Sequence, residues 1–218
     1  MREIILDTET TGLSWNRGHR IIELCCLEVV NYVPGEVRSM RFDPQRDIDP
    51  DATKVHGITR EMLAGKPLFG DVIDRIIDFL GDAPLIAHSA PFDAGFMAAE
   101  FERADYIPIH PSRWVCTLAL ARRKRPGKKN SLDAICADLK ISRPALHSAK
   151  ADVMALARVY EHLADRRQPS LELEQLEKVE ELVGARPVRL PTRITGAEAA
   201  AHGAMVEVMG PDAIWRKQ

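Results

Sequence analysis

The stretch Ile4-Ile5-Leu6-Asp7-Thr8-Glu9-Thr10-Thr11-Gly12-Leu13 decides the interpretation of this chain. Apolar residues that favour strands lead into two carboxylates spaced two apart, and a Thr-Thr-Gly turn follows. Because residues i and i+2 of a strand lie on the same face, Asp7 and Glu9 are predicted to project together. Two adjacent negative charges repel each other, and a divalent cation neutralises them. The stretch therefore predicts a metal site, with a solvated strand end as the alternative.

Two later segments add acids beside predicted helices. Residues 85–97 read as an apolar strand, a short turn and a helix that starts at or near Asp93. Residues 147–163 begin with His147 and Asp152 and continue with apolar residues at helical spacing. Taken singly, these residues are equally consistent with first-turn acids, caps or surface groups. Taken together, the order Asp-x-Glu, Asp, His-x4-Asp predicts convergence on one edge of a sheet.

This order resembles the DEDDh 3′–5′ exonucleases, the family of DnaQ-like proofreading nucleases, over roughly residues 1–165. The resemblance implies an α/β fold with a ribonuclease-H-like mixed sheet flanked by helices. Its acidic set falls on Asp7, Glu9, Asp93 and Asp152, and its histidine on His147. It further implies two divalent metal ions, Mg²⁺ or Mn²⁺. Asp7, Glu9 and Asp152 would bind the first, Asp7 would bridge to the second, and Asp93 would reach the second directly or through water. His147 would take a proton from the attacking water.

Residues 48–59 resemble the loop that closes on the terminal nucleotide in these exonucleases. In that interpretation Asp51 and His56 touch the terminal sugar or base, and Thr10 and Leu13 line the same pocket beside Asp7, Glu9 and Asp152. The alternative is that Asp49-Pro50 is a turn and His56 a helix-entry residue. Ser89 departs from the family pattern, because many relatives have Asn at this place.

Composition predicts a soluble, cytoplasmic enzyme without a membrane segment. The chain has 218 residues, 45% of them hydrophobic, and it can bury one core and carry an extension. No apolar run approaches the roughly 20 residues that span a bilayer, and the first predicted strand starts directly at the N-terminus. The four cysteines form no Cys-x-x-Cys pair, so reduced thiols are expected and zinc is not.

Charge does not suggest broad nucleic-acid binding, since the formal net charge is −2. One basic cluster, residues 122–129, predicts either phosphate contacts near the active site or a solvated helix end. The coarse pattern predicts strands near 2–7, 20–30, 36–43, 84–88 and 113–116. Helices are predicted near 70–80, from 93, and near 117–124, 131–139 and 150–164.

Beyond the exonuclease domain, assigned to 1–165, the sequence predicts a tail that binds partners. Residues 166–187 form a predicted linker with a helix and a possible sliding-clamp peptide that uses Gln168, Leu171 and Leu173. Residues 188–218 resemble the C-terminal tail of the proofreading (epsilon) subunits of bacterial DNA polymerase III, which binds the polymerase (alpha) subunit. The apolar residues assigned to this contact are Val206, Val208, Met209 and Trp215.

The sequence thus predicts a 3′–5′ exonuclease that proofreads the DNA primer terminus for a replicative polymerase. A free-standing exonuclease that trims RNA or single-stranded DNA is the enzymatic alternative, since it would use the same five catalytic positions. An adaptor without catalytic activity, which only links polymerase and clamp, is the alternative from another class of protein.

Overall fold

The computed structural model describes residues 1–143 and 149–164. Its five strands are β1 Arg2–Thr10, β2 Ile21–Val30, β3 Val33–Arg41, β4 Leu85–Ala87 and β5 Trp114–Cys116. The α-helices in this part of the chain are α1 Pro50–His56, α2 Ile73–Leu80, α3 Ala90–Arg103, α4 Thr117–Lys124, α5 Leu132–Leu139 and α6 Ala149–Leu163. Short 3₁₀ turns connect several of these elements.

The strands form one mixed sheet in the order β3-β2-β1-β4-β5. β1, β2 and β3 pair antiparallel, whereas β4 is parallel to both β1 and β5. The predicted mixed sheet is therefore confirmed, and β1 is its central strand. The parallel ladder of β1 with β4 pairs Ile4 with Leu85 and Ile5 with Ile86. β1 continues beyond that ladder, so its last residues lie at the end of the parallel strands, where α/β sheets open a crevice.

Alternating side chains of β1 face two different cores. Ile4 and Leu6 pack with α2 and α3 on one face of the sheet, in a core that includes Phe96. Ile5 packs on the other face with residues of α6 such as Val153. This division follows from the two-residue period of a strand, and it explains why the first strand is apolar throughout. α3 and α6 therefore approach β1 from opposite sides.

A smaller core joins α4 and α5 to the far side of α6. It contains Ala121 from α4, Ile135 from α5 and Val159 from α6. Ser131 caps α5, because its hydroxyl accepts a hydrogen bond from the backbone of Ala134. α6 is consequently packed on both sides, and the position of its first turn is fixed.

The structure corrects one prediction of local structure. Residues 48–59 were expected to form a loop, with a turn at Asp49-Pro50 and a helix entry at His56 as the alternative, but Pro50–His56 form helix α1. Proline is favourable at the first position of a helix, and Gly57 ends the helix in the left-handed region at φ 70°. The Asp-Pro pair therefore begins a helix here. Several boundaries also move: β1 extends to Thr10, β3 begins three residues earlier than predicted, at Val33, α2 begins three residues later, at Ile73, and α3 begins three residues earlier, at Ala90.

The remaining structural predictions concern cysteines and membrane segments. All four cysteines are free thiols, as expected, and Cys25, Cys26 and Cys136 are buried. Within 1–143 and 149–164, no helix combines the length and apolarity that crossing a bilayer requires. The predicted clamp peptide and the predicted polymerase-binding tail lie outside the described residues.

Candidate active site

Three predicted carboxylates, from two distant parts of the sequence, meet at one end of the sheet. Asp7, Glu9 and Asp152 each offer an oxygen atom, and these atoms all lie within 4.8 Å of one another. Within the described residues, this is the cluster of acids and histidines with the geometry of a metal site. We call these three residues the acidic centre.

The backbone accounts for this convergence. Asp7 and Glu9 lie on the face of β1 that packs against α6, since Ile5 of the same face contacts that helix. Asp152 lies in the first turn of α6 and is buried, with Val153 beside it in the core. Docking of α6 through its apolar residues therefore carries Asp152 to the strand end, next to two acids that share its face.

Asp93 reaches the acidic centre from the opposite face of the sheet. It lies in the first turn of α3 and is buried, and its Oδ1 accepts a hydrogen bond of 2.8 Å from the hydroxyl of Thr8. Thr8 lies between Asp7 and Glu9 on β1, so its side chain points to the α3 face. The Asp-Thr-Glu triplet thus presents two acids to α6 and one hydrogen-bond donor to α3.

Electrostatics in the centre favour protonation of these acids when no cation is bound. Burial raises the pKa of Asp7 well above its usual value, and the charges of Asp93, Glu9 and Asp152 raise it further. Burial, followed by the charge of Asp152, raises the pKa of Glu9 to about 8. Burial also raises the pKa of Asp93 to about 7, although the Thr8 hydroxyl opposes this rise. Without positive charge nearby, holding these negative charges so close together raises the free energy of the folded protein.

One arginine supplies part of that positive charge. Arg143 donates hydrogen bonds to Asp152 and to Asp133, which lies in the first turn of α5. Its charge lowers the pKa of both Asp7 and Glu9, against the larger effects of burial and of the neighbouring acids. Arg143 was not predicted from the sequence, because it lies outside the family motifs and its contact with Asp152 arises only when α5 and α6 pack together.

The donor set fits a divalent cation of the hard class. The ligand atoms of the acidic centre are carboxylate oxygens. Mg²⁺ and Mn²⁺ prefer oxygen ligands to the thiolate sulfur ligands that are common in zinc sites. Bound cations would relieve the repulsion among Asp7, Glu9 and Asp152 and restore their charged forms. Strongly shifted pKa values of grouped acids at a sheet edge are also typical of catalytic sites.

A further carboxylate, Glu23, lies beside the acidic centre and was not predicted. Glu23 on β2 lies directly opposite Glu9 on β1, and its charge contributes to the raised pKa of Glu9. Glu23 is buried and held by Ser39 and Arg41 of β3, whose side chains donate hydrogen bonds of 3.0 and 3.2 Å to its Oε1. Only the strand register brings the two glutamates together, so no local sequence signal identifies this pair.

The residues predicted to contact the terminal nucleotide lie beside the strand end or on α1. Thr10 is buried, and its hydroxyl donates to the backbone oxygen of Gly12 at 2.7 Å. Burial lowers the pKa of His56, whereas the adjacent backbone of Thr10 opposes that change. The His56 ring therefore lies next to Thr10. Leu13 is 85% exposed, and Asp51 is exposed and paired with Lys54 at 2.7 Å. These two side chains face solvent, so their substrate contacts stay predictions.

A network of polar contacts fixes the turn that follows β1 against the start of α1. His19 Nδ1 lies 3.1 Å from the Thr11 hydroxyl, and its Nε2 lies 3.6 Å from Asp49. The backbone oxygen of Thr11 also accepts a hydrogen bond of 2.9 Å from the backbone nitrogen of Asp49. A Cβ on Gly12 would lie 2.3 Å from the His19 ring, so the close approach requires glycine. The predicted nucleotide loop is thereby attached to the strand that carries the acids.

The fifth predicted catalytic position, His147, lies outside the described residues. The described residues stop at Arg143, which contacts Asp152, and resume at Ala149, which is the first residue of α6. Its role as a general base therefore stays a prediction.

Comparison with known proteins agrees with the family predicted from the motifs. A family model described as Exonuclease matches residues 4–160. The DNA polymerase III subunit epsilon of Rickettsia felis is 41% identical, over 79% of this chain and 78% of that protein. The protein of the same name from Escherichia coli is 38% identical, over 99% of this chain and 97% of its own length. The predicted family and its epsilon relationship are confirmed.

Solved structures support the same fold. Exonuclease X, solved in complex with 5′ overhanging duplex DNA, is 28% identical with a TM-score of 0.57, over 81% of this chain and 98% of its own. Escherichia coli exonuclease I, solved with an oligonucleotide, shares only the fold at 17% identity, with a TM-score of 0.65 over 76% of this chain and 41% of its own. The predicted ribonuclease-H-like fold is confirmed. The chain therefore belongs to the exonuclease family, together with the epsilon subunits of bacterial DNA polymerase III.

Proposed function

We propose that this chain is the proofreading 3′–5′ exonuclease of a bacterial replicative DNA polymerase, and that it releases mispaired 3′ nucleotides as nucleoside monophosphates. The observation that carries the proposal is the convergence of Asp7, Glu9 and Asp152 within 4.8 Å, with Asp93 at the same strand end. Each of these residues falls on a position of the DEDDh motif. The relatives named DNA polymerase III subunit epsilon support the assignment to replication.

In this proposal the acidic centre holds two divalent metal ions, Mg²⁺ or Mn²⁺. Asp7, Glu9 and Asp152 would hold one ion, and Asp7 and Asp93 the other. When bound, such a pair activates water, orients the phosphate and stabilises the leaving 3′ oxygen. The chain contributes rigidity, because strand β1 and the first turns of α3 and α6 fix the four carboxylates before substrate binds.

The remaining chemistry is assigned to residues around the centre. His147, just before α6, would accept a proton from the attacking water, since an unperturbed imidazole titrates near neutral pH. Thr10 and His56 would contact the terminal nucleotide from the strand end, and Leu13 and Asp51 would approach it from the turn after β1 and from α1.

Partners follow from the family relationship and from the tail sequence. The polymerase alpha subunit is the proposed partner of residues 188–218, through Val206, Val208, Met209 and Trp215. The sliding clamp is the proposed partner of Gln168, Leu171 and Leu173. The complete acidic set argues against an adaptor without activity, whereas RNA trimming is tested directly below.

The decisive experiment compares 3′ ends of different kinds in the presence of Mg²⁺. A mispaired primer end should be cut faster than a matched end, because unpairing costs least when the base is already mismatched. Faster cutting of RNA than of DNA would support the trimming alternative instead.

His147→Ala should lower turnover by roughly 10²–10⁴-fold, the usual range for a lost general base, while metal binding measured by calorimetry changes little.

A binding assay tests the partner. Removal of residues 188–218 should abolish binding to the polymerase alpha subunit in a surface-binding titration, and hydrolysis of short oligonucleotides should persist. Trp215→Ala in the full chain should weaken binding by roughly 1–4 kcal/mol, as is usual for an aromatic anchor. Unchanged binding after truncation would contradict the tail assignment and leave the exonuclease assignment untouched.

A further inference from the structure

A cluster of cations lies in the last turn of α4 and on the segment that joins α4 to α5. Residues 122–129, here named the basic loop, carry Arg or Lys at six of eight positions: Arg122, Arg123, Lys124, Arg125, Lys128 and Lys129. All of these side chains except that of Arg125 are exposed. Within the described residues, Arg122, Arg123 and Lys129 form no ion pair, whereas Arg125 pairs with Asp138 and Lys128 lies 4.0 Å from it. A concentration of this kind is unusual in a chain with a net charge of −2.

The basic loop has a defined shape. Asn130 donates hydrogen bonds from Nδ2 to the backbone oxygens of Lys128, at 3.0 Å, and Arg125, at 3.3 Å. Gly127 adopts a positive φ of 75°, which allows the chain to turn back at this point. The half-buried Arg125 points inward toward Asp138, so the loop is attached to α5. The other cations are therefore displayed on an ordered turn.

The residues that follow the loop, Asn130 and Asp133, attach it next to the acidic centre. His88 immediately follows β4, and its Nε2 lies 2.9 Å from the backbone oxygen of Asn130. Asp93, in the first turn of α3, follows His88 by only five residues. On the other side, Asp133 in the first turn of α5 shares Arg143 with Asp152. Two independent contacts thus join the loop to the elements that carry the catalytic acids.

The charge environment of His88 supports the same placement. Its pKa is lowered chiefly by burial, and the charges of Arg122 and Arg143 lower it further, while Asp133 opposes them. Arg122 and Arg143 therefore both act on one imidazole at the carboxyl end of β4. Arg122, at the start of the basic loop, and Arg143, which contacts Asp152, thus both influence the charge of His88.

We propose that the basic loop binds backbone phosphates of the DNA strand on the 5′ side of the terminal nucleotide. The inference rests on the proposed exonuclease function, because it assumes that a 3′ end occupies the acidic centre. The acidic centre repels a polyanion, and phosphates further along the strand need cations within reach. The ordered loop beside β4 and α5 supplies them. Because it contacts phosphates, the loop contributes affinity for any sequence and does not discriminate among bases.

The test removes three cations of the loop together and uses a charge-matched control. The loop variant is Arg122→Gln, Arg123→Gln and Lys129→Gln. The control variant is Lys66→Gln, Arg75→Gln and Arg158→Gln, which removes three exposed cations from other parts of the fold. Both variants change the net charge equally. The full-length protein is assayed with a single-stranded oligodeoxynucleotide and with the p-nitrophenyl ester of thymidine 5′-monophosphate, which has no further phosphates.

The loop variant should raise KM for the oligonucleotide by about tenfold or more at low salt, with kcat unchanged. Its slope of log KM against log salt should shrink by about 2, since each phosphate contact on a single strand contributes about 0.7. Hydrolysis of the ester should not change, and the control variant should behave as the unaltered protein on both substrates. Equal effects of the two variants, or equal losses on ester and oligonucleotide, would overturn the proposal.

A binding measurement separates this inference from the proposed function. Fluorescence anisotropy with a labelled single strand and Ca²⁺ reports strand binding without requiring hydrolysis. If the unaltered protein hydrolyses neither substrate, the proposed function fails, but weaker binding by the loop variant alone still supports the phosphate contact. If the loop variant binds the strand as tightly as the control variant, the inference fails even when the exonuclease activity is present.

Discussion

Two groups of buried carboxylates in this molecule are built in opposite ways. Glu100 on α3 is 1% exposed and is enclosed by positive charge. Its two oxygens accept hydrogen bonds of 2.7 and 2.8 Å from Arg20, and the backbone nitrogen of Ile21 and the side chain of Arg103 lie 3.2 and 3.4 Å away. In the acidic centre, Asp7 and Glu9 instead face other acids, and Arg143 is the cation that acts on them.

The difference separates a structural carboxylate from candidate catalytic ones. Glu100 is satisfied by the folded chain itself and joins α3 to the start of β2, so its cost of burial is offset within the protein. In the centre around Asp7 the folded chain supplies too little positive charge, so the acids are neutralised either by protons or by an added cation. Burial alone therefore does not identify a functional acid, and the sign of the neighbouring charges does. Three substitutions and one measurement of stability against pH test this contrast.

The largest expected effect is on catalysis by Asp152→Asn. The change keeps the size of the side chain and removes one proposed metal ligand. We expect hydrolysis of a DNA 3′ end to fall on the order of 10³-fold, comparable with other losses of preorganised electrostatic stabilisation. The thermal midpoint of the metal-free protein should change little, because removing one repulsive charge opposes the loss of the ion pair between Asp152 and Arg143. Turnover close to that of the unaltered protein, measured in Mg²⁺, would rule out the assigned role of Asp152.

Glu100→Gln should have the next largest effect, on stability instead of catalysis. Removal of the charge leaves Arg20 without its buried partner, and breaking such a pair costs roughly 3–5 kcal/mol. The lower end is expected, because the Arg20 side chain is 17% exposed. Urea unfolding measures the loss, and kcat of the folded fraction should remain within a few-fold. A loss of kcat with unchanged stability would reverse the contrast between the two groups.

Thr8→Val tests the hydrogen bond that holds Asp93. Valine matches the shape of threonine but cannot donate to Asp93, so the charged form of that acid loses a stabilising contact. Residues that orient metal ligands typically contribute 10–100-fold to metal affinity or activity, and a loss in this range is expected. Calorimetric titration with Mn²⁺ checks it. Thr8→Ser is the matched control, since it keeps the donor and should retain most of the affinity.

The smallest effect is on the pH dependence of stability without metal. The pKa of Glu9 rises to about 8 and that of Asp93 to about 7 in the folded protein, whereas unfolded carboxyls titrate near pH 4. Between these values the folded state binds more protons than the unfolded state, so stability falls as pH rises from about 4 to 8. In EDTA, the thermal midpoint should decline over this range.

Two controls accompany this measurement. Glu9→Gln should flatten the decline in EDTA, because it removes the group with the pKa of about 8. Mg²⁺ should stabilise the unaltered protein more at pH 8 than at pH 6, since the metal binds the deprotonated acids. A thermal midpoint that rises with pH in EDTA would show that the acids are not held in the protonated form.

The local patterns predicted more of the fold than of the surroundings of the site. The strands and all helices except α1 were predicted near their observed places, since apolar alternation and helical spacing are local signals. α1 was missed because Asp-Pro is common to turns and to helix starts. Glu23 and Arg143 were missed because their relation to the acids depends on the strand register and on the packing of α5 with α6.

The sequence by itself determined the identity and order of the candidate catalytic acids, because the Asp-x-Glu spacing on one strand and two acids at helix starts are local features. It also determined the mixed sheet and the apolar faces that pack on it. The tertiary structure decided which face each acid uses: Asp152 joins Asp7 and Glu9 through α6, and Asp93 arrives through α3 and Thr8. It also placed the basic loop beside His88. Distances and charge interactions between remote segments arise only when the helices dock, so no local pattern encodes them.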